Sequence, residues 1–249
     1  MEPEATAEVN DFGCVADVYD QLVEWAPYEL WVDDLERRLR SHGLPEGARL
    51  LDVACGTGLS TIPWAQRGYE AVGVDISPDM LERARDRAAE CGCSVTFRQG
   101  DMLDLQAERP FDAVICMHSG LDYLPDDEAL RRAFRSARGC LRQAGLFSFD
   151  KCLDEPSFYQ DDYSEVRILQ GGWARIHYRW NRSRRQLVQR CVVHRTEGQR
   201  LGVTVVEYHL SATPPDKLHR WVEEAGFEML EPVEEFDVPD PGMGIFRAV

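Results

Sequence analysis

The chain lacks any apolar run approaching the ~20 residues that a bilayer-spanning helix requires, which excludes a helical membrane protein. It also lacks a surplus of positive charge: 28 Lys and Arg stand against 44 Asp and Glu, a net charge of −16 at pH 7. Proteins that grip a phosphate backbone carry basic faces that displace condensed counterions, so this balance argues against nucleic acid as the main partner. Paired C-x-x-C spacing is missing too. The eight cysteines (14, 55, 91, 93, 116, 140, 152 and 191) are scattered, only Cys91 and Cys93 lie close, and no histidine spacing completes a zinc site. Several sit in apolar runs, where a thiol behaves as a small buried hydrophobe, and no metal is signalled. The acidic start "MEPEATAEVNDF" has no basic-then-apolar leader pattern, which points to a soluble, cytoplasmic protein. Repeats, linkers and low-complexity segments are absent. What remains is 249 residues, 44% apolar, enough to bury one large core or one domain with an insertion.

From residue 49 short apolar runs alternate with helical patterns. "RLLDVA" (49–54), "AVGVDI" (71–76), "VTFR" (95–98), "FDAVICM" (111–117) and "GLFSFD" (145–150) read as strands, apolar at their centres as strands covered on both faces should be. "SPDMLERARDRAAEC" has Ser77 as N-cap and Pro78 at the first helical position. "LPDDEALRRAFRSARGCLRQAG" opens with acids and closes with bases, with Gly145 as the stop. This alternation predicts βαβ units and a parallel sheet. Ahead of it, "VADVYDQLVEW" and "YELWVDDLERRLRSHG" predict two helices. Beyond Asp150 the pattern changes: β-type runs joined by "GG", "NRSRR" and "EGQR" over 164–210 predict an antiparallel meander. Thr213 then caps a helix starting at Pro214 and ending at Gly226, and "FEMLEPVEEF" and "GIFRAV" close the chain as strands.

The turn after the first strand, "LLDVACGTG", carries the chemistry. A dinucleotide site wants G-x-G-x-x-G facing a pyrophosphate at a helix N-terminus. Here Gly56-x-Gly58 is followed by Thr61 in place of the third glycine, Pro63 falls in the opening turns of the helix, and Asp52 adds negative charge beside the would-be phosphates. A nucleoside without phosphates, bearing a cationic centre and an amino-acid tail, fits better: Asp52 can accept hydrogen bonds from an ammonium, and the glycines let the backbone come close.

On these residues the chain resembles the class I S-adenosylmethionine-dependent methyltransferases. "LLDVACGTG" is similar to their first motif, "VGVDIS" supplies Asp75 where the family binds both ribose hydroxyls, "RQGDM" supplies Asp101 and Met102 where it contacts adenine, and "FDAVICMHS" and "GLFSFD" are similar to its fourth and fifth strand motifs. The resemblance spans about residues 12 to 249, most specifically 49 to 150. It implies a doubly wound, Rossmann-like α/β fold with a seven-stranded, mostly parallel sheet and an antiparallel meander inserted after strand five. It divides the chain into a helical lid (1–48), a cofactor-binding core (49–150), an insertion over the acceptor site (151–212) and a closing helix with strands (213–249). It implies S-adenosylmethionine as cofactor, held by Asp52, Ala54, Gly56, Gly58, Asp75, Ile76, Asp101, Met102 and Met117, with Tyr19, Tyr28 and Trp31 as lid residues over the methyl donor. Chemistry supports two of these: one carboxylate accepts both hydroxyls of a vicinal diol, and adenine's exocyclic amine needs an acceptor.

Methyl transfer from a sulfonium needs alignment and, where the acceptor is protonated, a base. "MHSGLDYL" follows strand four, so His118 is the candidate base, its reference pKa of about 6.5 suiting neutral pH. Tyr123 is a second candidate catalytic residue, and Asp122 a candidate for orienting the acceptor. The meander carries Arg175, Arg179, Arg182, Arg184, Arg185, Arg190, Arg195 and Arg200 against Glu197 alone over 171–200. Arg179 and Arg182 are candidates for gripping an anionic acceptor; a charged face that protects a sheet edge is the alternative. The resemblance favours an enzyme methylating a nitrogen or oxygen of a small metabolite, working as monomer or homodimer without metal, nucleic acid or membrane. RNA or protein methylation, and a non-catalytic S-adenosylmethionine-binding module, stand as alternatives; no N/D-P-P-Y tetrad supports base methylation.

Overall fold

The computed structural model describes residues 8–153, 162–197, 200–234 and 242–249. The side chains of Glu197 and Arg200, and the end of "FEMLEPVEEF" at 235–236, lie outside the described residues. In chain order the elements begin with β1 (Glu8–Val9), α1 (Tyr19–Leu22) and α2 (Tyr28–Ser41). The core follows as β2 (Arg49–Val53), α3 (Thr61–Gln66), β3 (Glu70–Asp75), α4 (Pro78–Glu90), β4 (Thr96–Gln99), β5 (Phe111–Cys116), α5 (Asp127–Cys140) and β6 (Leu141–Phe149). Four long strands come next: β7 (Tyr163–Leu169), β8 (Gly172–Asn181), β9 (Gln186–Glu197) and β10 (Arg200–Ser211). The described chain closes with α6 (Pro215–Glu224), β11 (Phe227–Glu231) and β12 (Gly244–Ala248).

Two sheets result. The larger runs β11-β12-β6-β5-β2-β3-β4; β6, β5, β2, β3 and β4 are mutually parallel, and β12 is antiparallel to both its neighbours. Every residue of β2 is buried, and its alternate side chains feed opposite layers. Leu50 packs with Trp31, Val32, Leu35 and Leu39 of α2, whereas Leu51 and Val53 join Leu130 and Phe134 of α5 and Trp221 of α6. This is the Rossmann-like arrangement, with helices on both faces of a central strand set. The second sheet, β1-β10-β9-β8-β7, is antiparallel apart from the two-residue β1, which lies parallel to β10.

Four local features differ from the sequence pattern. The helix predicted over "VADVYDQLVEW" is a single α turn, Tyr19–Leu22, preceded by a 3-10 turn at Gly13–Val15. Three β-branched valines weaken that helix, and Val15, Val18 and Leu22 gain more by burying against Ala174, Val193 and Val206 of the second sheet. Helix α5 stops at Cys140 rather than Gly145, because Leu141 already pairs with Phe111. The register then shifts, with Ala144 left-handed at φ 57°. Gly145 belongs to this bulge: a Cβ there would stand 3.0 Å from the Arg142 carbonyl oxygen and 3.2 Å from that of Asp112. Pro214, not Thr213, is the N-cap residue of α6; the Thr213 N–H donates to the Cys152 carbonyl at 2.9 Å and ties the helix entry to the end of β6. Finally, β1 carries no strand signal of its own and exists through its partner.

Ala144 is exposed and pays the Cβ penalty of the left-handed region without packing in return. Ala144→Gly is therefore expected to raise stability by about 1 kcal/mol, read as a higher urea midpoint at unchanged m-value.

Candidate active site

The turn leaving β2 departs from ordinary backbone at three points, Ala54 (φ 57°), Gly56 (φ 52°) and Gly58 (φ 79°). Carboxylates hold it on two sides. Beneath it Asp52 is buried, and its Oδ2 accepts from Ser60 Oγ at 2.5 Å and from Thr61 Oγ1 at 2.6 Å. Burial pushes the Asp52 carboxyl up to about 6, and the two hydroxyls pull against that rise. From the neighbouring strand, Asp75 Oδ2 accepts the Gly56 N–H at 2.8 Å and Oδ1 accepts the Ser77 N–H at 2.9 Å. Burial raises the Asp75 pKa, opposed by these backbone donors.

Over the carboxyl ends of β2, β3, β4 and β5 lies a cavity of about 250 Å³, where open α/β sheets bind their ligands. Ala54, Gly56, Asp75, Ile76, Asp101, Met102 and Met117 line it, as do Tyr19, Tyr28, His118 and Tyr123. Asp101 also accepts the Leu103 N–H at 2.9 Å, capping the short 3-10 turn that carries Met102. Asn10, Phe12, Leu59, Met80 and Leu124 line it without having been foreseen. For Asn10 and Phe12 no local signal exists: Asn10 Oδ1 accepts the His209 N–H at 2.8 Å and Phe12 stacks on Tyr208 at 4.5 Å, both across nearly two hundred residues.

The lid side is fastened. Asp20 Oδ1 accepts from Thr57 Oγ1 of the glycine turn at 2.6 Å, while Oδ2 pairs with Arg87 of α4. Tyr19 and Tyr28 share a hydrogen bond, and the Tyr28 hydroxyl reaches His118 Nδ1. Burial pushes the Tyr19 phenol up to about 12 and holds Tyr28 well above the ordinary phenol range. Burial also pushes His118 down to about 4, so the imidazole is uncharged at neutral pH. That corrects the basis for reading His118 as a base: its reference pKa does not survive this environment.

Six further candidates stand elsewhere. Asp52 serves the turn and does not line the cavity. Gly58 makes room for Phe97, whose Cζ would lie 3.1 Å from an added Cβ. Trp31 is buried behind His118, ring centroids 5.5 Å apart. Asp122 is buried against Lys151 Nζ at 2.8 Å. Arg179 on β8 faces Val188 of β9, and Arg182 lies in the turn after β8; neither lines the cavity. Among the described residues, those lining the cavity include two carboxylates and no lysine or arginine. A pyrophosphate there would meet two carboxylates and no lysine or arginine, which counts against the dinucleotide reading. Among the described residues there is also no cluster of three His, Cys, Asp or Glu side chains able to hold a metal, and no helix long and apolar enough to cross a membrane.

Known proteins match this arrangement. Residues 50–145 fit a family model described as a methyltransferase domain. A Geobacillus sp. protein named only as a methyltransferase is 29% identical over 229 residues, 88% of this chain and 89% of that protein. The dTDP-3-amino-3,4,6-trideoxy-alpha-D-glucopyranose N,N-dimethyltransferase of Streptomyces venezuelae is 37% identical, over 64% of this chain and 61% of that protein. Among solved structures, Streptomyces venezuelae DesVI superposes with a TM-score of 0.76 at 26% identity, covering 94% of this chain and 97% of that one. The sugar N-methyltransferase KedS8 of Streptoalloteichus sp. shares the fold, with a TM-score of 0.80 at 22% identity over 100% of this chain and 98% of that one.

Because the Ser60 and Thr61 hydroxyls oppose the effect of burial on Asp52, Ser60→Ala/Thr61→Ala is expected to raise that carboxyl further above 6. The pair should also cost roughly 2 kcal/mol of stability. Carboxyl carbon NMR titration and denaturant melts read the two effects.

Proposed function

The chain belongs to the class I S-adenosylmethionine-dependent methyltransferases, and from that premise we propose that it methylates the amine of a small, sugar-like metabolite. One observation carries the cofactor half of this reading: a cavity at parallel strand ends with two carboxylates and no cationic side chain. The residues present fit S-adenosylmethionine. Asp75, whose oxygens accept the backbone N–H groups of Gly56, Ile76 and Ser77, has further lone pairs to offer two ribose hydroxyls. Ile76 and Met102 offer apolar surface to adenine and Asp101 an acceptor for its amine, while the backbone at Ala54 and Gly56 allows close approach. When bound, the cofactor supplies a methyl group on a positively charged sulfur.

The acceptor half rests on what the facing side chains can do with a proton. His118 is held neutral and weakly basic, with Nδ1 engaged by Tyr28, and Tyr19 and Tyr28 keep their protons far above neutral pH. Among the described residues no carboxylate lines the cavity beside His118, Tyr123 and Leu124, since Asp122 is committed to Lys151. Such a wall orients a nucleophile and does not make one. It suits an amine, which attacks in its own neutral form, better than a hydroxyl, which needs a base. The names of two relatives, a sugar N,N-dimethyltransferase and a sugar N-methyltransferase, support the same acceptor class. A ubiquinone biosynthesis O-methyltransferase of Xanthomonas axonopodis is 40% identical but over only 37% of this chain, so it bears on the cofactor half alone.

Two outcomes test this. Asp75→Asn is expected to weaken S-adenosylhomocysteine about 10- to 100-fold by calorimetry, the worth of charge-assisted hydrogen bonds to the ribose, with no binding of NAD by either form. His118→Ala is expected to lower kcat about tenfold on an amino sugar while leaving the rising limb of kcat/KM against pH in place. Disappearance of that limb in the variant would make His118 a base after all.

A further inference from the structure

Directly beneath the cavity-lining loop 118–123 lies a carboxylate that neither binds the glycine turn nor lines the cavity. Asp150 follows β6, is 2% exposed, and its Oδ2 accepts the Ser119 N–H at 2.6 Å and Ser119 Oγ at 3.4 Å. Its other oxygen, Oδ1, is buried without a hydrogen-bond partner among the described residues. The residues it grips are unusual. His118 (φ 63°) and Ser119 (φ 64°) are consecutive non-glycine residues in the left-handed region, where a Cβ crowds the following carbonyl. Strain of this kind persists only where neighbours over-determine it. The only side chain hydrogen-bonded to the Ser119 N–H among the described residues is Asp150. At the far end of the same loop, Asp122 takes Lys151 Nζ at 2.8 Å and the Cys152 N–H at 3.1 Å, and Lys151 also donates to the Ser211 carbonyl at the end of β10. The loop 118–123, which carries His118, Gly120 and Tyr123 into the cavity, is thus pinned at both ends by the segment 150–152.

We propose that Asp150 is a positioning residue: it holds the His118–Ser119 pair in its left-handed form and so sets where the imidazole stands in the cavity and whether Tyr28 can reach it. The consequence for the acceptor rests on the function proposed above, but the positioning itself does not. Ionised, Asp150 offers a charged acceptor to the Ser119 N–H; protonated, it offers a neutral and weaker one. Burial, and then the charge of Asp122, push its carboxyl up to about 7. The groups facing it are Asp122 and Ser119 from the loop, Cys116 from β5 and Tyr28 from α2, with Lys151 next along the chain and engaged by Asp122. The turn is therefore gripped more tightly above neutral pH than below it.

Histidine ring NMR tests this without acceptor or turnover. The chain has six histidines, and a His118→Gln variant assigns the signal. In the wild type the His118 ring resonance is expected to move between two positions with a midpoint near pH 7, well above the titration of the ring itself. Asp150→Asn, which keeps an acceptor for Ser119 but cannot ionise, is expected to lose that midpoint. Asp150→Ala should hold the resonance near its low-pH position, and adding Ser119→Gly, which takes the left-handed form freely, should recover part of the lost thermal stability. A wild type with no neutral midpoint, or a midpoint surviving in Asp150→Asn, would overturn the proposal, as would an Asp150→Ala/Ser119→Gly protein no more stable than Asp150→Ala. If Asp150→Ala does not fold, the wild type and Asp150→Asn titrations decide alone. Failure to bind S-adenosylhomocysteine would count against the proposed function and leave these titrations standing.

Discussion

Two carboxylates hold the glycine turn from opposite sides, and the rest of the site takes its place from that turn. Asp52 takes two hydroxyls from the start of α3, and Asp75 takes the Gly56 N–H from the next strand over. A turn with three left-handed residues pays for its shape in backbone strain, and these charge-assisted contacts offset it. They also explain why negative charge is tolerable ahead of the glycines: Asp52 is taken up by the two hydroxyls, and of the pair only Asp75 faces the cavity. The same turn then receives the N-terminal segment. Thr57 donates to Asp20, which also pairs with Arg87, so the segment carrying Tyr19 is fixed to both the turn and α4.

The N-terminal residues belong to two different layers. Val15, Val18 and Leu22 pack into the second sheet, among Ala174, Val193, Val206 and Tyr208. Trp31, Val32, Leu35 and Leu39 of α2 pack against the first sheet. Between them run Tyr19 and Tyr28, hydrogen-bonded to each other, so the cavity is roofed at the junction of two cores. Asn10 and Phe12 extend that roof from the β10 side. Asn10 and Phe12, tied to His209 and Tyr208 of β10, thus close one side of the cavity, whereas the strand ends of the first sheet build the other.

What could be read in the sequence, and what could not, follows this division. Ala54, Gly56, Asp75, Ile76, Asp101, Met102 and Met117 come together because each closes a buried parallel strand, and that pattern is local: an apolar run, then a turn. Seven strands and the change of texture after Asp150 were legible for the same reason. Asp52 misled because its two partners, Ser60 and Thr61, lie in the next helix, where nothing in the spacing announces that their hydroxyls turn back. Asp122 misled because its partner is Lys151, brought in by the parallel pairing of β5 with β6. The arginines of the meander were legible as a charge cluster, but strand register, which fixes the face each one takes, is not written in composition. The two residues of β1 and the single turn of α1 owe their form to tertiary contacts that override weak local preference.

On the function proposed above, the described residues offer the acceptor no strong base, and magnitudes choose which nucleophile suits neutral pH. An alkylamine with a pKa near 10.4 sits about 3.4 units above pH 7, so its neutral form costs roughly 5 kcal/mol. A hydroxyl, with a pKa near that of water, would need about 12 kcal/mol to ionise at the same pH. His118, pushed down to about 4, recovers little of the second sum, because a weak base holds the abstracted proton poorly. For the proposed amine, burial disfavours the ammonium form, against the pull of the two carboxylates that line the cavity. What is left for the imidazole is orientation, and orientation depends on the strained pair that Asp150 holds from below.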